Sequence, residues 1–256
     1  MSRLVRQQKG LDYDAAHGDV EATRQLIALI NDPDPEDSED DGDAIDEALH
    51  LLCEECDRTA ADAAFATRPR TADAAACFKL LRDAGANLEG ARTLGYTPLH
   101  CAASKGRLEL LTLLIQSGVN VDAVTDYGTT SLHLATRKGE VDCAKVLLAA
   151  GADVHARTYA GRSALDMALE PVRKGWFWAR EERNRRRTSP LFLRAGAELP
   201  TDNTDPYIVR VRNAGGFQRY AQQHLARITA ILAPTPRLPP EMVRKIVEFW
   251  LHAGYY

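Results

Sequence analysis

From Thr97 the chain reads TPLHCAASKGRLELLTLLIQSGVNVD, and 33 positions later, from Thr130, it reads TSLHLATRKGEVDCAKVLLAAGADVH. The register extends beyond these two segments. Gly85, Gly118 and Gly151 keep the 33-residue spacing, as do Gly95, Gly128 and Gly161, then Leu99, Leu132 and Leu165, and the pair Gly106 and Gly139. A fixed period of this length restricts the fold to a stack of small units. One such unit cannot bury its apolar face alone, whereas neighbours in a stack share a continuous core.

Each position in the unit has a physical task. Thr97, Thr130 and Ser163 suit helix N-caps, where a hydroxyl accepts from an orphan backbone N–H. Pro98 then fits the first helical position, where a missing donor costs nothing. A short helix follows through Leu99, Ala102 and Ala103, whose small alanines allow close approach of a neighbour. After a break at Gly106, Leu108, Leu111, Leu114 and Ile115 recur at helical spacing and predict a second helix. Gly118 suits the left-handed residue that closes it. Gly95, Gly128 and Gly161 suit a tight turn into the next helix pair.

Thr97-Pro98-Leu99-His100, with LLIQSGVNVD and LLAAGADVH as second-helix endings, resembles the ankyrin repeat family. The resemblance implies an all-α solenoid of helix-turn-helix pairs joined by short β-hairpin loops. It implies that His100 and His133 hydrogen-bond between repeats rather than catalyse, with His50 in a comparable place. Three departures stand out: Ser131 replaces the family's Pro, Asp166 replaces its His, and Arg92, Thr125 and Thr158 sit where the family favours Asp. The last are expected to loosen the hairpins locally. The family binds other proteins on its concave face, through hairpin tips and exposed first-helix positions. Carried over by register, these are Thr93, Leu94, Tyr96, Ser104 and Lys105, then Asp126, Tyr127, Thr129, Arg137 and Lys138, then Tyr159, Ala160 and Arg162. Three tyrosines and several cations on one strip suit a partner with acidic and apolar patches.

The expected organisation is an N-terminal extension over residues 1–10, an array over 11–200, and a C-terminal segment over 201–256. Residues 12–30 read as an opening repeat, 45–56 as a first helix with 72–89 as its partner, and 163–199 as a last unit. That makes about five units, with insertions near 57–71 and 172–188. Beyond them, residues 215–232 read as a helix after a Gly-Gly break, followed by a proline-rich turn and a final helix. One reading of this tail is a helical cap on the solenoid. The other comes from LPPEMVRKIVEF (238–249), which resembles the opening helix of an F-box through Leu238, Pro239, Glu241, Val243 and Ile246. That resemblance implies recruitment of a cullin-type ubiquitin ligase, with ligase components as partners. The segment is shorter than a full F-box.

Composition narrows the rest. A formal net charge of −4 does not favour nucleic acid. No apolar run approaches the ~20 residues of a membrane span, and the first ten residues lack the apolar core of a signal peptide. Five cysteines, Cys53, Cys56, Cys77, Cys101 and Cys143, fit a reduced compartment, cytosol or nucleus.

His50, Cys53 and Cys56 form an H-x-x-C-x-x-C run, but no second pair exists to complete a four-ligand zinc site. Asp37, Glu39, Asp41 and Gly42 match the start of a calcium loop, yet its twelfth position is Ala48. The acidic run 31–47 reads instead as a solvated loop. Neither metal nor cofactor is expected. The stretch from Trp176 to Arg187 juxtaposes Trp176, Phe177 and Trp178 with Arg183, Arg185, Arg186 and Arg187. It reads as a helical extension pinned to the array, as a partner-binding patch, or, in its arginine run, as a nuclear signal. No phosphate loop, H-E-x-x-H or G-x-S-x-G motif is present, so no enzyme is expected.

Overall fold

The computed structural model describes residues 19–31, 41–54, 73–170 and 179–232, together with Glu241, Met242 and Lys245. The described part is built of helices: α1 (Val20–Asn31), α2 (Asp41–Glu54), α3 (Ala74–Asp83), α4 (Pro98–Lys105), α5 (Leu108–Gln116), α6 (Ser131–Lys138), α7 (Val141–Ala149), α8 (Ala164–Leu169), α9 (Ala179–Arg194), α10 (Pro206–Asn213) and α11 (Phe217–Leu232). They stack in two layers. In one, α2, α4, α6 and α8 lie side by side; in the other, α1, α3, α5, α7 and α9 do the same. At the C-terminal end α10 packs on α11, which touches α9.

The register of the sequence becomes a register of the core. Leu99, Leu132 and Leu165 are buried one above another, and Ala102, Ala135 and Ala168 are buried beside them. The alanines let the first helices pack closely, with no long side chain to hold them apart. In the other layer Leu81, Leu114 and Leu147 form an equivalent buried row, as do Cys77, Leu110 and Cys143.

Helix starts are fixed locally. The backbone N–H of His133 donates to Thr130 Oγ1 (3.4 Å), and the backbone N–H of Thr130 donates back to His133 Nδ1 (3.3 Å). This is a capping box with histidine in the role usually held by Glu or Gln. The pair Thr97 and His100 repeats it, and in the next unit Ser163 and Asp166 do so with a carboxylate.

A second set of contacts ties the units on the side of the second-helix endings. Asp46 Oδ1 accepts from the backbone N–H of Asn87, Glu89 Oε1 from that of Asn120, and Asp122 Oδ1 from that of Asp153.

Several expectations are corrected. The acidic run 31–47 is not wholly loop, because Asn31 closes α1 and α2 begins at Asp41. Asp41 and Gly42 are therefore helical, which removes them from a calcium loop. Residues 179–188, expected within an insertion, belong to the 16-residue helix α9. Helix α10 was not anticipated. Its signal is Asp205 followed by Pro206, an N-cap whose side chain accepts from the Tyr207 N–H ahead of a proline at the first helical position. Residues 57–71, the aromatics 176–178 and Cys56 lie outside the described residues.

Candidate functional site: the hairpin strip and inner helix face

Three hairpins project from the array at Arg92–Tyr96, Thr125–Thr129 and Thr158–Arg162, each closed by the first residue's N–H donating to the last residue's carbonyl (2.9, 3.0 and 2.9 Å). In the second and third, a threonine does the work the family gives to Asp. Thr125 Oγ1 accepts from the N–H of Thr129 (3.2 Å), and Thr158 Oγ1 accepts from that of Arg162 (3.3 Å). The first hairpin has Arg92 there, and its tip tightens into a 3-10 turn with Leu94 at φ 64. A non-glycine residue in the left-handed region is uncommon and strained. Among the described residues Leu94 is the one non-glycine at positive φ. The expected loosening is not seen: all three hairpins close with the same bond, and the one lacking a side-chain acceptor differs in its strained tip.

The tips form a ladder. The N–H of Asp126 donates to the carbonyl of Leu94 (3.1 Å), and the N–H of Tyr159 donates to that of Tyr127 (3.1 Å). Gly95 and Gly128 make this approach feasible. A Cβ on Gly128 would stand 2.9 Å from the Tyr159 backbone nitrogen and 2.6 Å from its ring. The ladder sets apolar side chains in a row facing solvent: Leu94 is 47% exposed, Tyr127 58% and Tyr159 76%.

The strip residues do not all reach the surface. Thr93, Asp126, Ala160, Lys105, Arg137 and Lys138 are exposed, while Tyr96 and Ser104 are half-buried. Arg162 is exposed but pairs with Glu170 at 3.0 Å. Thr129 is the correction: its side chain is buried, its N–H is taken by Thr125, and its carbonyl accepts from His100. It frames the hairpin. Of the F-box-like residues, Glu241 is exposed, and Leu238, Pro239, Val243 and Ile246 lie outside the described residues.

The histidines hold units together. His100 Nε2 lies 3.1 Å from the Thr129 carbonyl, and His133 Nε2 lies 3.2 Å from that of Arg162. A carbonyl only accepts, so Nε2 carries the proton and Nδ1 accepts from the threonine cap. Burial holds both imidazoles below the ordinary histidine range, against the pull of these carbonyls. His50 bonds the Gly90 carbonyl in the same way (2.8 Å) but sits mid-helix, with Nδ1 4.0 Å from Cys101 Sγ instead of a threonine.

That thiol is no activated nucleophile. Burial pushes Cys101 up to about 12 and Cys143 likewise, and Cys53 higher still. Thiols held protonated at neutral pH are inert. No group of three or more metal-ligand side chains occurs among the described residues.

Beside the first hairpin lies a groove of about 710 Å3, which sequence reading missed. It is lined by Glu47, Glu54, Arg92, Leu94 and Tyr96, with His50 and Cys101 behind. Arg92 and Glu47 pair across it at 2.7 Å. Its signal was obscure because Glu54 and Arg92 lie on different units, joined by a stretch that breaks the 33-residue period.

Comparison with known families agrees with the geometry. The ankyrin-repeat model matches residues 63–158 in three copies. No curated protein matches the chain. Over residues 63–158 the all-α solenoid is similar to ankyrin repeats, which are generally protein-interaction modules. The match does not reach residues 238–249, and the F-box resemblance gains no support. No described helix is long and apolar enough to cross a membrane.

Proposed function

We propose that this ankyrin-type solenoid is a non-catalytic binding module whose partner protein lies along the hairpin tips and the exposed ends of α4 and α6. The single observation that carries this is the row of Leu94, Tyr127 and Tyr159. The ladder between hairpins holds these apolar side chains in water, where burial against the core would otherwise be favoured. Aromatic groups on rigid elements are the usual anchors of protein interfaces, because little conformational freedom is lost on binding. Arg137 and Lys138, exposed at the end of α6, add a cationic flank suited to an acidic partner. Action in the cytosol or nucleus fits the unpaired thiols of Cys53, Cys77, Cys101 and Cys143.

The adaptor alternative, in which the tail recruits a ubiquitin ligase, rests on the sequence of residues 238–249 alone. Affinity capture from cell lysate separates the two readings. Wild type, Tyr127→Ser/Tyr159→Ser and a chain ending at Ala233 are compared, each checked for folding by circular dichroism. Loss of partners with the tyrosine variant alone supports the strip. Ligase subunits lost only with the shortened chain would support the adaptor.

A further inference from the structure

The inner helix face carries opposite charges two units apart. Counting four residues past His50, His100, His133 and Asp166 gives Glu54, Ser104, Arg137 and Glu170, one position in successive units. Glu170 is neutralised by Arg162. Glu54 and Arg137 are both exposed, and neither has an ion pair within the described residues.

Glu54 opens into the groove beside the first hairpin, where Tyr96 supplies an aromatic wall and Leu94 an aliphatic rim. Arg92 is occupied by Glu47, so the carboxylate of Glu54 is the charge left to attract a ligand there. An aromatic face next to a carboxylate without an ion pair among the described residues suits a cationic side chain, whose stem packs on the ring while its head meets the acid. The strained Leu94 backbone points the same way, since such strain persists where the conformation has a use.

We infer that the partner segment is charge-patterned. It places a lysine or arginine in the groove at Glu54 and an aspartate or glutamate at Arg137 and Lys138. This rests on the proposal that the strip binds protein. The spacing follows from the stack: α2 to α6 is two helix steps, roughly 20 Å at the usual packing distance, which an extended chain spans in about six residues.

A random dodecapeptide display library selected on the full chain tests this. The expected outcome is enrichment of peptides with a basic and an acidic residue about six positions apart. The selected peptides should bind Glu54→Lys about tenfold more weakly, and reselection on that variant should lose the basic preference while keeping the acidic one. Peptides that compete with one another for the hairpin tips but show no basic preference, and bind Glu54→Lys unchanged, would overturn the inference and leave the strip as a binding site. Failure to enrich any peptide sensitive to Tyr127→Ser/Tyr159→Ser would overturn both.

Discussion

His100 donates from Nε2 to the carbonyl of Thr129 across 3.1 Å, tying the first helix of one unit to the hairpin of the next. His133 makes the same link to Arg162. Where Asp166 replaces histidine, the cap is kept, but a carboxylate cannot donate across to a carbonyl.

These links make stability depend on pH. Folding lowers the histidine pKa values below 6.5, so at mildly acidic pH the unfolded chain takes up protons that the folded chain refuses. The contribution is complete above 6.5 and is lost as pH falls toward the folded values. Urea unfolding between about pH 7 and pH 5 should show falling stability. The variant His100→Gln/His133→Gln should be less stable at neutral pH, by about 1–3 kcal/mol per lost bond, and show a shallower slope. An unchanged slope would contradict the assignment of neutral, buried imidazoles.

Gly128 and Gly161 share a register position and a positive φ but differ in surroundings. Alanine at Gly161 would meet open space, so only backbone strain applies, about 1 kcal/mol. Alanine at Gly128 would also break the Tyr159 to Tyr127 link, for roughly 3 kcal/mol in all. Thermal unfolding of the two variants should separate them clearly.

Leu132 lies in the middle of the buried leucine row. Leu132→Ala should destabilise the array by about 2–5 kcal/mol, measured by denaturant unfolding, because both neighbouring units lose contacts.

Leu94→Gly offers a contrast. Relief of the left-handed strain, about 1 kcal/mol, is offset by the ~0.5–1 kcal/mol of added chain entropy. The melting temperature should scarcely move. Partner affinity should fall, because the apolar rim of the groove is gone.

Much of this fold was legible in the sequence because its contacts repeat at a fixed spacing. The N-caps Thr97, Thr130 and Ser163 and the leucine row follow from register, and the linking histidines from the family resemblance. What escaped notice lies where the register is interrupted or a side chain turns inward. The groove joins Glu54 to Arg92 across the irregular stretch, and α10 falls after the repeats end. Thr129 carries the right register for the strip yet is buried, since Thr125 and His100 both use its backbone. Exposure in a hairpin is decided by such bonds between distant residues, which spacing alone does not show.

The most direct test of the binding strip is the affinity of a captured partner for Arg137→Glu/Lys138→Glu against wild type, with melting curves on both. Both side chains are exposed, so packing is untouched, and reversing two charges in the last turn of α6 should cost only about 1–2 kcal/mol, which leaves the array folded. Affinity should fall by about tenfold or more as an attractive flank becomes repulsive, and the loss should shrink at high salt. Equal affinity of the folded variant would remove these residues from the interface and contradict a partner seated along the inner face.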